Sequence, residues 1–273
     1  MILILNEKEL LRKSLEDGYI DEKKTSNTIR ILAKHYFSID MTKEQVYDSI
    51  DKFFINNYKK YNSVKWKVGF DRTINAVSKY KDHTLFDINK IEITEKELIR
   101  IKSLENIKYE KLAFVLLIYA KIYNLMKKNE LGVVKIDQKY IFSDAKVKEN
   151  QYNQGKILHI IEELGLITPS KMVDCTDIKV NFIDKDSPVV LKITDFRNYV
   201  YEYLRWKGEN IINCINKECS ILFIPNNNSN KYCKMCAINI EKINHKERNR
   251  EHMRKKRSVD EIGNPCNPTP TMD

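Results

Sequence analysis

Apolar positions over the first hundred residues recur at intervals of three and four, the period of helices with one buried face. Glu7 to Asp17 predicts a short helix closed by Gly18, and Thr25 to Ser38 a second, with Ile29, Leu32, Ala33, Tyr36 and Phe37 on one stripe. Thr42 and Gln45 predict a reciprocal cap for a third helix: the hydroxyl can accept the Gln45 amide while the Gln45 side chain reaches back. That helix continues through Val46, Ile50, Phe53 and Phe54. Trp66 to Tyr80 predicts a fourth, and Thr94 to Leu104 a fifth, opened by Thr94 with Glu97 three residues on. Residues 1–104 therefore read as a helical domain.

Between 105 and 207 the pattern changes. Lys111 to Lys127 is apolar nearly all round, which predicts a helix buried on every side. A strand-like Val133 to Ile136 follows Gly132. Next come a brief helix around Gln138 to Ala145 and a longer one from Glu149 to Leu164, stopped by Gly165. Ile178, Val180 and Phe182 then alternate with polar residues, as do Val189, Leu191 and Ile193, with Asp184 to Pro188 as the turn between them. Helix, strand, two helices and a β-hairpin is the order of a winged helix-turn-helix. On that reading Glu149 to Leu164 is the recognition helix, Gln151, Tyr152 and Lys156 are its candidate base and phosphate contacts, and Lys185 is the tip of the wing. A further amphipathic helix spans Asp195 to Trp206, with Phe196, Tyr199, Val200, Tyr203 and Leu204 inward, and Gly208 leads into the next module.

That module, 210–238, holds Cys214, Cys219, Cys233 and Cys236. Two cysteine pairs separated by a short polar arm match the spacing of two metal-binding knuckles, and four thiolates suit a closed, structural Zn²⁺ site with no position left for water. So short a polar segment has little apolar core in which to hide four ordinary cysteines. Cys175 reads as a small buried residue, and Cys266 lies outside the cluster. After Cys236 the apolar residues Ile238, Ile240 and Ile243 give way to a basic helix over 239–257. It carries Lys242, Lys246, Arg248, Arg250, Arg254, Lys255, Lys256 and Arg257 against Glu241, Glu247 and Glu251. Lys246, Arg250, Arg254 and Arg257 share one helical face that could follow a phosphate backbone. The proline-containing segment 258–273 is expected to be disordered.

Composition sharpens the picture in three ways. The chain has 273 residues, 42% of them hydrophobic, enough for a sizeable core and more than one domain. No apolar run approaches the roughly 18 residues of a membrane-spanning helix, and the N-terminus lacks the pattern of a secretion signal, so a soluble cytoplasmic protein with no membrane partner is expected. In a reducing compartment clustered cysteines more often mean metal than disulfide. The net charge of +10, from 48 Lys and Arg against 38 Asp and Glu, suits a polyanionic partner, although Lys- and Asn-rich codon usage accounts for part of it. Over positions 1–100 the balance is near even, 19 basic against 16 acidic.

Signatures of common enzymes are absent: no phosphate-binding glycine loop, no His-Glu-x-x-His, no Gly-x-Ser-x-Gly and no dinucleotide fingerprint, in a chain with seven glycines. The histidines, His35, His83, His159, His245 and His252, are scattered. The chain reads as a non-enzyme.

The run Cys-x₄-Cys-Ser-Ile-Leu-Phe-Ile-Pro, a polar loop, Lys-Tyr-Cys-x-x-Cys and a Lys/Arg-rich helix resembles the C-terminal ribbon of uncharacterised zinc-ribbon proteins carried by phages and prophages of low-GC Gram-positive bacteria. Glu110 to Phe114 and Glu163 to Ile167 are also similar to segments of such proteins. There the first knuckle is Cys-x-x-Cys-Gly, whereas this chain has two more residues and Ser220 in place of glycine. The resemblance implies a mobile-element origin, a bacterial host cell and a DNA-related role. The combined expectation is a mainly α protein with a helical N-terminal domain, a winged-helix-like α+β middle, a small zinc ribbon and a basic C-terminal helix. Its expected function is binding DNA, or alternatively RNA, in phage replication or transcription control. An adaptor that docks on a host replication or transcription protein is the alternative reading, and a nuclease the third.

Overall fold

In the computed structural model of the protein, residues 4–22, 24–170, 177–227 and 229–262 are described, with side chains described up to Lys255. Among them ten helices and seven short strands fall into two compact units, residues 1–194 and 195–273. The chain is mainly α, with small antiparallel sheets.

The first unit opens with α1 (Glu7–Asp17), capped by the Asn6 side chain, which accepts the Glu9 amide at 2.7 Å, and closed by Gly18 in the left-handed region. Next come α2 (Thr25–Ser38) and α3 (Lys43–Asn57), the latter with both halves of the Thr42–Gln45 box formed. The following helix, α4 (Ser63–Ser78), begins before Trp66 because Asn62 accepts the Lys65 amide at 3.0 Å. Ile29, Leu32, Val46, Ile50, Phe54, Phe70, Ile74 and Val77 form one buried cluster, and the rings of Tyr58, Tyr61 and Trp66 pack around Phe54. Each fully buried side chain of this size contributes about 1.5–3 kcal/mol. The buried carboxylate of Glu7 is held by Lys34 at 2.7 Å, Arg30 at 3.3 Å and the Phe86 amide at 3.1 Å, which fastens the N-terminal segment across the bundle.

A strand the helical pattern did not foretell, β1 (Ile91–Thr94), runs directly into α5 (Glu95–Lys102), where Glu97 accepts the Thr94 amide at 2.9 Å. The long α6 (Ile107–Lys127) is buried along most of its length, as its all-round apolar sequence requires. Then follow β2 (Val133–Val134), α7 (Gln138–Asp144), α8 (Gln151–Glu163), β3 (Ile167–Pro169), β4 (Ile178–Val180) and β5 (Val189–Ile193). Three strands form one sheet in the order β2-β4-β3, and β5 pairs with β1. Gly132 enters β2 with φ +65°, where a Cβ would lie 2.8 Å from the Ile183 side chain and 3.0 Å from the Val180 carbonyl.

The strand pairing corrects the expected hairpin. Residues 178–182 and 189–193 are not partners: Ile178 and Val180 pair with Pro169 and Ile167, while Ile193 pairs with Ile91 and Leu191 with Ile93. The turn over Asp184 to Pro188 is packed against neighbouring helices and is not a projecting wing. Its Asp184 amide donates to Glu97 at 2.9 Å, its Pro188 carbonyl accepts the Glu95 amide at 3.0 Å, and Lys185 pairs with Glu130. Alternation marks a strand but leaves its partner open. The choice follows from burial: Ile91 and Ile93 offer an apolar edge beside α6, and Glu97, salt-bridged to Lys121 at 2.7 Å, anchors the turn there.

In the second unit, α9 (Val200–Trp206) starts later than Asp195, because Asp195 forms a turn that accepts the Arg197 amide and guanidinium. This helix, which the sequence pattern groups with residues 105–207, lies in the same compact unit as the cysteine module. The strands β6 (Ile212–Asn213) and β7 (Leu222–Phe223) pair, and α10 (Lys234–Ile262) follows. That helix runs beyond Arg257 into the segment expected to be disordered; residues 263–273, with Cys266, and residues 171–176, with Cys175, lie outside the described residues.

Candidate metal centre

The β6–β7 hairpin folds the first cysteine pair over itself. Cys214 directly follows β6, its amide on the Ile221 carbonyl at 2.9 Å, and the Asn216 carbonyl accepts the amides of both Cys219 and Ser220 at 2.9 Å, curling the chain back. Ser220 completes the curl with φ +48°, in the left-handed region that glycine adopts at least cost. The second pair sits at the start of α10: Cys233 precedes the helix, Cys236 lies in its first turn, and the Cys233 carbonyl accepts the Ala237 amide at 2.9 Å. A bond from the Ile215 amide to the Lys231 carbonyl, 3.0 Å, joins the two knuckles.

As a result the Sγ atoms of Cys214, Cys219, Cys233 and Cys236 all lie within 4.8 Å of one another, with Cys219 and Cys233 3.7 Å apart. Four sulfurs bound at about 2.3 Å to one ion stand about 3.8 Å apart along the edges of a regular tetrahedron. The thiols are free, without disulfides. Among the described residues this is the one group of three or more His, Cys, Asp or Glu side chains placed to share an ion. With four protein ligands such a site is closed, so it can hold structure together and leaves no coordination position for a reacting molecule.

Electrostatics within the cluster favour a cation. Burial, and then hydrogen bonding with the adjoining thiols of Cys219, Cys233 and Cys214, push Cys236 up to about 12. Cys214 moves the other way: burial opposes its ionisation, but the amides of Cys233 and Asn216 outweigh it and hold the thiol below its ordinary range. The Cys233 amide is 3.4 Å from Cys214 Sγ, and Asn216 Nδ2 is 3.5 Å from Cys236 Sγ. Backbone amides thus favour the ionised form of Cys214, while burial and the adjoining thiols keep Cys236 protonated.

Outside the ligands, sequence reasoning missed the polar residues that hold the module together. Arg197, itself paired with Asp195 at 2.6 Å, donates to the Cys219 carbonyl at 2.5 Å; Asn198 donates to the Leu222 carbonyl and Asn213 to the Ser220 carbonyl. These contacts span sequence gaps that no local pattern announces, apart from Asn216, whose position two residues after Cys214 marks the knuckle turn.

The remaining candidates occupy two places. Gln151, Tyr152 and Lys156 are exposed on α8, Tyr152 at 70%, with Lys156 Nζ 4.4 Å above the Tyr152 ring. The helix itself is fixed at both ends, by Lys108 on Glu149 at 2.6 Å and by Arg100 on the Leu164 carbonyl at 2.7 Å. Lys246, Arg248, Arg250, Arg254 and Lys255 are exposed on α10, and Arg248 donates back to the Asn244 carbonyl. Lys246, Arg250 and Arg254 form no ion pair among the described residues; Lys256 and Arg257 lie on the same helix, with side chains outside the described set. Among the described residues no helix is long and apolar enough to cross a membrane. The chain matches no protein-family model, and no curated protein or solved structure is detectably similar to it.

Proposed function

We propose that the protein binds DNA through a helix held in place by a structural zinc ion, in the replication or transcription control of a mobile element. The observation that carries this reading is the coupling of the cysteine cluster to α10. Cys233 and Cys236 flank the first residues of a helix whose exposed Lys246, Arg250 and Arg254 lie along one face, with no ion pair among the described residues. Free cations one helical turn apart can each displace a condensed counterion from a phosphate, and the metal fixes where the helix begins. Zinc suits the all-thiolate, closed, roughly tetrahedral donor set best, since it accepts that geometry without redox change. When bound it would tie the two knuckles together and would supply no reaction.

The centre of the first unit supports the same reading. The order α6, β2, α7, α8, β3, β4, with sheet order β2-β4-β3, is compatible with a winged helix-turn-helix. In this arrangement α8 is the recognition helix, and its exposed Gln151, Tyr152 and Lys156 would meet base edges or phosphate. RNA contact would need a different geometry, because the deep major groove of an RNA duplex excludes a helix.

The test is a salt series on random duplex DNA with the zinc-loaded protein and with Lys246→Ala/Arg250→Ala/Arg254→Ala. Binding should fall steeply with salt. The variant should lose roughly 0.9 of log–log slope for each phosphate contact removed. Salt-independent binding, or none at low salt, would sink the DNA reading and leave a host replication or transcription protein as the partner to seek.

A further inference from the structure

We propose that α4 is a second duplex-DNA contact, a helix that enters the major groove from the N-terminal bundle and acts independently of α10. Balanced charge over positions 1–100 conceals a sharp segregation. Residues 58–80 carry Lys59, Lys60, Lys65, Lys67, Arg72 and Lys79 against one acidic residue, Asp71. The preceding α3 has Glu44, Asp48 and Asp51 against Lys43 and Lys52. All six basic side chains are exposed, and none joins an ion pair among the described residues. Some exposed cations elsewhere in the same unit are matched, Arg12 with Glu9 and Glu16, Lys128 with Asp82 and Lys139 with Asp137, whereas in this run none is. Among the described residues these six clustered cations have no ion-pair partner, and a polyanion is the partner that complements them.

The outward row of α4 is also unusual. Phe70, Ile74 and Val77 are buried in the bundle, so the opposite face presents Val64 and Val68, exposed by 82% and 75%, one turn apart. Gly69 lies beside them in mid-helix, and a Cβ built there would meet nothing within 4 Å. Neither the valines nor the glycine serves the helix or its packing: β-branched residues and glycine both weaken an exposed helix. Each has a use against DNA. Valine methyls can pack on thymine methyls, and a missing side chain lets the helix backbone approach a groove wall. Asn62 fixes the helix start, and sixteen residues give about 24 Å of rod, which the roughly 12 Å wide major groove of B-DNA can take.

Three full-length variants test this on duplex DNA: Lys65→Ala/Lys67→Ala/Arg72→Ala, Gly69→Gln, and the α10 triple variant above. The α4 triple variant should lose roughly 2 to 3 units of log–log salt slope while melting like the wild type. Gly69→Gln leaves the charge and the salt slope unchanged and the melting temperature equal or higher, yet should weaken duplex binding at least tenfold, because its side chain stands in the path of approach. If both α4 variants bind as the wild type does, the inference is overturned, whatever the α10 variant shows. If the α10 variant alone is silent, α4 stands and the reading of α10 fails. Equal binding of duplex RNA, with equal sensitivity to Gly69→Gln, would overturn the major-groove assignment.

Discussion

Ser220 shows how much one residue can carry. It holds a positive φ at the close of the first knuckle, and its hydroxyl donates to the Lys217 carbonyl at 3.0 Å. Left-handed backbone disfavours a residue with a Cβ by about 1–2 kcal/mol, while one exposed hydrogen bond returns about 0.5–1.5 kcal/mol. Ser220→Gly should therefore leave the loaded module equally stable or more stable by up to about 1 kcal/mol, as read from its chemical denaturation. Cys236 is the opposite case, a position with no substitute. Because burial and the adjoining thiols push its thiol up and hold it protonated, metal uptake must release protons. The direction follows: affinity for zinc rises with pH and falls on acidification, and a competition titration against a chelator between pH 6 and 8 checks it. Cys236→Ser should lower metal retention sharply over the whole of that range.

At the scale of elements, the most informative feature is the attachment of β5 to β1. Glu97, fully buried, accepts the amides of Thr94 and Asp184 and pairs with Lys121, so one carboxylate joins the start of α5, the middle of α6 and the 184–188 turn. Removing one partner of a buried ion pair typically costs about 3–5 kcal/mol, because the other charge remains buried. Glu97→Ala should destabilise the first unit by that amount, measured by denaturant unfolding. The double variant Glu97→Leu/Lys121→Met should recover much of the loss, since it leaves no uncompensated charge. A large loss that the double variant fails to restore would locate the energy in the amide bonds. The same paired network explains why Lys185 is no wing tip: the turn that carries it is already held by the Glu97 carboxylate, the Glu95 amide and Glu130.

For the whole molecule, the two compact units make different demands. The first holds its own hydrophobic core, from Ile29 and Phe54 in the bundle to the buried length of α6. The second has few large buried side chains besides Tyr199, Tyr203 and the cysteines, and a module that small needs a further staple. Chelation of the metal should consequently unfold residues 195–262 and spare the first unit. In a thermal scan with and without chelator, the transition of the cysteine module should shift while that of the bundle does not. A common shift of both transitions would contradict this division. Charge is likewise distributed by unit. One basic face lies on α4 and another, of Lys246, Arg250 and Arg254, on α10, these cations forming no ion pair among the described residues.

What the sequence determined by itself was local. Helical periodicity, the Thr42–Gln45 box and the Gly18 stop gave α1 to α3 nearly to the residue, since caps and apolar stripes act within one or two turns. The cysteine spacing gave all four candidate ligands, because two knuckles and a short arm leave the chain few other ways to fold. Pairing across long separations was decided by tertiary structure. Alternation at 178–182 and 189–193 reads equally as a hairpin or as two strands with distant partners; the buried edge of β1 and the Glu97 anchor chose the latter. The basic face of α4 was hidden for a related reason. Net charge sums over a chain, whereas a binding surface depends on which charges stay exposed and unpaired, and only packing decides that.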